Sequence, residues 1–185
     1  VENVKLNKES SITLIAGVSG SMSGSSIRDM KKILLDFINH LPETFELNIL
    51  AFDDNYNKLF NSPSKLTKIN RNKALKFVEN LQAGGGTHML GPVYDALVDS
   101  YSYNLDNQII LFTDGAVGYE TEMMALVHQY IGNKKLHIVG IGSAPNSYLM
   151  KGLSKAGRGT FLYVDGNNFI EKSNDLLYKI NRPII

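Results

Sequence analysis

Short apolar runs alternate with segments of helical periodicity along most of the chain. Ile12 to Ala16 reads as a buried strand that ends at Gly17. From Ser26 to Leu41, the positions Ile27, Met30, Ile33, Leu34, Phe37, Ile38 and Leu41 share one helical face, and Pro42 stops the helix. Phe45 to Phe52 predicts a second strand. Asn57 to Phe60 predicts a short edge strand after the polar turn Asp53-Asp54-Asn55. A helix over Asn70 to Leu81 and a glycine loop at Ala83-Gly84-Gly85-Gly86 follow, then a helix over Leu90 to Tyr101. Gln108 to Thr113 is apolar on both faces, as a strand covered on both sides requires. The pattern continues with helix Glu120–Tyr130, strand Leu136–Ile141, helix Asn146–Ala156, strand Thr160–Val164 and helix Phe169–Ile180, with Pro183 beyond.

This alternation predicts an α/β fold of the Rossmann-like, doubly wound kind. Its central sheet is mostly parallel, with one short antiparallel edge strand and helices on both faces. With 185 residues and no internal repeat or linker, the reading is a single domain over 1–185, cut from a larger protein. Composition narrows the function classes. Lys plus Arg number 19 against 18 Asp plus Glu, for a net charge of +1, so bulk electrostatics does not recruit nucleic acid. The basic residues are scattered, and the pairs Lys31-Lys32 and Lys134-Lys135 read as solvated faces. The absence of cysteine excludes disulfides, thiolate metal sites and a Cys nucleophile. No run approaches the roughly 18 apolar residues of a membrane span, and Val1 to Leu6 lacks the apolar core of a signal peptide.

In open α/β sheets ligands bind beyond the carboxyl ends of the strands, where strand order reverses. After the first strand the chain reads Gly17-Val18-Ser19-Gly20-Ser21-Met22-Ser23-Gly24, and after the central strand Thr113-Asp114-Gly115; Gly86-Thr87-His88 lies between them in sequence. Two serines two residues apart present hydroxyls the same way from an extended loop. Hydroxyls, a threonine and one carboxylate form an all-oxygen, low-charge site that suits a hard cation. Such chemistry binds; it needs no base or nucleophile. Ser19 and Ser21 could instead cap the first helix, and Asp114 could serve its turn.

These residues resemble the metal-ion-dependent adhesion site of von Willebrand factor A domains, written Asp-x-Ser-x-Ser, then a distant Thr, then an Asp in Thr-Asp-Gly. The stretches Val18 to Met22, Leu81 to Thr87 and Phe112 to Gly115 carry the likeness, which extends over nearly the whole chain. Gly115-Ala116-Val117-Gly118-Tyr119-Glu120 is similar to A domains that follow an inter-alpha-trypsin-inhibitor (VIT) domain. Val139 to Tyr148 and Ala156 to Phe161 are similar to marine proteobacterial sortase-target proteins. The resemblance implies metal ligands Ser19, Ser21, Thr87 and Asp114 for Mg²⁺, or Mn²⁺ or Ca²⁺. It implies a partner-binding rim of Gly17, Met22, Gly86, His88 and Gly115. A partner protein's carboxylate would complete the cation's shell, and Phe169 to Ile180 would be the element that shifts. The implied role is adhesion at a bacterial cell surface, with no nucleic acid and no membrane insertion by this domain.

The sequence departs from the family at one decisive place. Gly17 stands where the family has its first Asp, so one of two site carboxylates is missing and the cation is weakened or lost. Asp29, Asp53 or Asp54 could supply the charge instead. The alternative role is a structural spacer that no longer binds metal. Enzyme readings fail on spacing. Gly17-x-x-Gly20-x-x-x-Gly24 matches neither a phosphate loop nor a dinucleotide fingerprint, and Gly17-x-Ser19-x-Ser21 is not a nucleophile elbow. The order Ser19, Asp114, His137 mimics a hydrolase triad, but a histidine within a strand faces the core. His88 reads as an exposed loop residue, His40 and His128 as helix-surface residues, and Met123-Met124 as core filling.

Overall fold

The structure, a computed structural model, describes residues 9–98, 105–115, 119–142, 147–165 and 167–180. Its strands are β1 (Ser10–Gly17), β2 (Glu46–Phe52), β3 (Tyr56–Lys58), β4 (Ser64–Lys65), β5 (Asp106–Thr113), β6 (Lys135–Ile141) and β7 (Arg158–Val164). The helices are α1 (Ser25–His40), α2 (Lys68–Glu79), α3 (Leu90–Val98), α4 (Glu120–Tyr130), α5 (Ser147–Ala156) and α6 (Phe169–Ile180). The strand order is β3-β2-β1-β5-β6-β7, and β4 also pairs with β2. Strands β2, β1, β5, β6 and β7 run parallel, while β3 and β4 run antiparallel to β2. The predicted antiparallel edge is thus built in two pieces.

Alternation along the strands divides the core. In β1 and β5, Ile12, Leu14, Ile110 and Phe112 pack beneath α1, α2 and α6, among Ile33, Phe37, Val78 and Leu177. Ile15, Ile109 and Leu111 face the other way, beneath α3, α4 and α5, among Val93, Met123, Val127 and Leu153. Each such fully buried side chain contributes about 1.5–3 kcal/mol, so both helix layers are held to one rigid sheet. Helix α2 starts at Lys68, earlier than the apolar spacing alone suggests, because the Thr67 side chain accepts the Asn70 N–H at 3.2 Å. The predicted extension of α3 to Tyr101, and the motif segments 116–118 and 143–146, lie outside the described residues.

Burial corrects one reading. Lys134 and Lys135 are only 8% and 7% exposed, so the pair is no solvated face. Lysine stems pack along apolar surface, and burial pushes the Lys134 pKa down.

His137 does face the interior, at the amino-terminal side of the sheet, away from the loops carrying the serines and Asp114. The Thr160 N–H donates to its Nδ1 at 3.1 Å, which places the ring proton on Nε2. Nε2 in turn donates to Gln108 Oε1 at 2.8 Å. Gln108 Nε2 then reaches Ser10 Oγ at 3.3 Å and the Ile180 carbonyl at 2.5 Å, tying the end of α6 to the sheet. Burial first, then the charges of Lys135 and Lys179, lower the His137 pKa to about 4.

The folded protein therefore holds His137 neutral where the unfolded chain, titrating near 6.5, takes up a proton. Stability is full above pH 6.5 and falls as the pH drops toward 4, by roughly 3 kcal/mol in all. Urea unfolding measured across this range should show that loss in the parent chain and a shallower slope in a His137→Asn variant.

Candidate functional site

Strand order reverses between β1 and β5: from β1 the chain steps to β2 on one side and later to β5 on the other. The crevice beyond these two strand ends is lined by the loops that carry the candidate residues. Backbone hydrogen bonds lace these loops together. The Val18 N–H donates to the Phe52 carbonyl at 2.9 Å, the Gly84 N–H to the Val18 carbonyl at 2.8 Å and the Gly20 N–H to the Gly85 carbonyl at 2.9 Å. The His88 N–H completes the set, donating to the Asp53 carbonyl at 2.7 Å. Gly85 adopts a φ of +74°, a conformation glycine reaches without a steric cost.

Ser19 and Ser21 are brought together, their Oγ atoms 2.8 Å apart. The route differs from the extended loop suggested by the sequence. Ser19 is extended, but Gly20–Met22 forms a single 3₁₀ turn closed by Met22 N–H to Ser19 C=O at 2.9 Å. Neither serine caps α1, since Gly24 holds the N-cap position with no side-chain bond. Ser19 is 4% exposed and Ser21 is exposed, so the hydroxyl pair runs from the floor of the crevice to solvent. Thr87 and Asp114 are half-buried at the ends of their own loops. Gly115 turns the chain after β5 at φ +83°, its N–H held by Thr113 Oγ1 at 3.1 Å.

Position 17 is closed in. A Cβ there would lie 3.0 Å from Phe52 Cζ and 3.3 Å from the Phe112 carbonyl oxygen. Phe52 is Gly17's register partner on β2 and is buried, so its ring must give by a few tenths of an ångström to admit a side chain. Sequence reasoning missed this aromatic neighbour, whose only signal was a strand-final Phe.

Three members of the suggested rim are buried. Met22 is 1% exposed and packs with α1 in the core; Gly17 and Gly115 are also buried. Apolar burial of the Met22 side chain anchors the 3₁₀ turn instead of meeting a partner. His88 is exposed and Gly86 half-buried. Among candidate replacements for the missing carboxylate, Asp29 is buried within α1. Asp54 is exposed and lies against the glycine loop, its Oδ2 3.1 Å from where a Cβ on Gly85 would stand. Among the described residues no cluster of three or more acidic or histidine side chains is arranged to hold a metal. Ser19, Ser21, Thr87 and Asp114, the residues that the family resemblance implies, would supply three hydroxyls and one carboxylate.

The von Willebrand factor type A domain model matches residues 10–162, spanning every loop of this crevice. The chain belongs to that family. A von Willebrand factor A domain-containing protein of Dictyostelium discoideum is 28% identical over 183 residues, covering 98% of this chain and 20% of its own length. This A domain thus spans a fifth or less of the length of such amoebal relatives and of a mouse one. A von Willebrand factor type A structure from Catenulispora acidiphila superposes with a TM-score of 0.83 at 20% identity, covering 93% of this chain and 42% of that one. The manganese-loaded TRAP protein of Plasmodium vivax superposes with a TM-score of 0.75 at 20% identity, covering 94% and 75% respectively. Domains of this family generally mediate protein interactions and are interaction modules more than enzymes. Among the described residues, no helix is long and apolar enough to cross a membrane.

The Gly85 conformation gives a direct check on the loop lacing. Gly85→Ala should lower stability by about 1 kcal/mol and displace the carbonyl that holds Gly20. Gly84→Ala, with open space around its Cβ position, should be nearly neutral in the same chemical-denaturation measurement.

Proposed function

We propose that this A domain engages a partner protein through a divalent cation held in the β1–β5 crevice. Ser19, Ser21, Thr87 and Asp114 are its ligands, and a partner carboxylate completes the shell. The observation that carries the reading is the Ser19–Ser21 hydroxyl pair at 2.8 Å, left unused by helix capping and opening to solvent. Hydroxyl and carboxylate oxygens at low net charge suit Mg²⁺ or Mn²⁺ and leave the ion electrophilic toward an outside anion. The manganese-loaded TRAP neighbour is consistent with a fold that can carry such an ion. With glycine at position 17, only one of the chain's carboxylates belongs to the set, so the ion is held weakly and the partner's carboxylate contributes a large share of the binding. The likeness to sortase-target proteins extends the proposal to a role in adhesion at a bacterial cell surface.

A second reading is favoured by the Phe52 ring beside Gly17: a spacer domain whose site no longer takes metal. Titration calorimetry separates the two. Weak Mg²⁺ or Mn²⁺ binding is expected for the parent chain and none for Asp114→Ala. Gly17→Asp should tighten binding by at least about tenfold, since one added carboxylate near a divalent ion contributes on the order of a few kcal/mol. It should also cost roughly 1–3 kcal/mol of stability, because Phe52 must shift. No heat from the parent or from Gly17→Asp would establish the spacer reading.

A further inference from the structure

A second recess opens on the same edge of the sheet, between the end of β2 and the end of α2, with a volume of about 290 Å³. Its apolar surface comes from Val18, Phe77 and Leu81, and its polar surface from Asp53, Asn57, Asn80 and Gln82. The volume lies just below the ~300–1,000 Å³ of drug-sized ligand sites, which suits a single inserted side chain.

Asp53 is held in one orientation. Its N–H donates to the Asn55 carbonyl at 2.8 Å, its carbonyl accepts the His88 N–H, and its Oδ1 accepts the Asn55 N–H at 3.0 Å. Among the described residues that leaves Oδ2 without a partner, and no cation among them pairs with Asp53. The carboxamides of Asn57, Asn80 and Gln82 are likewise not engaged by other described groups, and each can rotate its oxygen inward. Asn80 is also the C-cap of α2, so the recess borders the negative end of that helix. The same helix end already attracts one cation, since Lys31 Nζ donates to the Glu79 carbonyl at 2.9 Å. A fixed carboxylate and a helix carboxyl terminus repel anions. A neutral sugar could use the carboxamides but would draw nothing from the charge.

We propose that this recess receives a lysine side chain of the partner protein. Its stem lies over Phe77, Leu81 and Val18, and its ammonium is shared by Asp53 Oδ2 and the carboxamide oxygens. An ammonium brings three donors on a flexible stem, which matches one carboxylate oxygen and several carboxamides better than it matches a planar fork. The ligand is thus a basic residue positioned beside the proposed cation site, so that a partner would offer an acidic and a basic group to one edge of the domain. The recess shares no residue with the proposed metal ligands and does not depend on an ion being bound.

Chemical-shift titration of the intact chain in EDTA tests this separately from the metal proposal. Nα-acetyl-lysine methylamide should shift the backbone signals of Asp53, Asn57, Asn80 and Gln82 saturably, while the norleucine analogue should not. Asp53→Asn preserves the acceptor for the Asn55 N–H and should weaken the lysine analogue by at least about fivefold. Equal shifts with norleucine, or unchanged lysine binding by Asp53→Asn, would overturn the proposal. So would lysine silence while a neutral methyl glycoside shifts the same signals. Because no metal is present, each of these failures counts against the recess alone.

Discussion

The loop after β1 is held at two of its peptide groups by the glycine loop that leads into α3, through Val18 C=O with Gly84 N–H and Gly20 N–H with Gly85 C=O. These two bonds, 65 to 66 residues apart in sequence, are the constraint on which the crevice depends. They hold Gly84 and Gly85, just before Thr87 in the chain, against the serine turn, and the serine side chains are not spent on capping α1. The loop after β2 is bound in by the same means, through the Phe52 and Asp53 carbonyls. Backbone bonds of this kind are cheap to satisfy inside the fold and costly to leave unmade. The rim is consequently a rigid extension of the sheet more than a set of independent loops.

Charge decides what such a rim can hold. The proposed set of three hydroxyls and one carboxylate would offer a divalent cation oxygen donors and little electrostatic attraction. Glycine at position 17 is more than a missing carboxylate, because the Phe52 edge and the Phe112 carbonyl crowd the space into which a side chain would grow. Negative charge persists nearby, in Asp53 and Asp54, but on the β2 side of the glycine loop. The edge of the sheet thereby separates into two chemical zones. One is rich in hydroxyls at the β1–β5 crevice, and the other is rich in carboxylate and carboxamide groups between β2 and α2.

Much of this was legible in the sequence, for identifiable reasons. Helices α4 and α6 follow the apolar periodicity to the residue, and Pro42 bounds α1 because it cannot continue it. The loops that line the crevice were readable because the serines, Thr87 and Asp114 follow a spaced pattern. The two-residue β4 was not, since Ser64 and Lys65 carry no alternation that a strand would require. Burial of Lys134 and Lys135 was hidden because residue type reports the charged head and not the packed stem. Burial of Met22 was hidden for a similar reason: its position in the motif conceals that the 3₁₀ turn points it inward. The recess beside Asp53 was invisible because its walls come from segments far apart in sequence.

In the proposed site, Ser19, Ser21, Thr87 and Asp114 surround one cation position which Gly17 leaves underpowered. Anomalous diffraction from crystals of the parent chain and of Gly17→Asp, both soaked in Mn²⁺, addresses it most directly. A strong manganese peak is expected between the serine hydroxyls and Asp114 in the variant, and a weaker peak at the same place in the parent. A variant with manganese elsewhere, or with none, would contradict it.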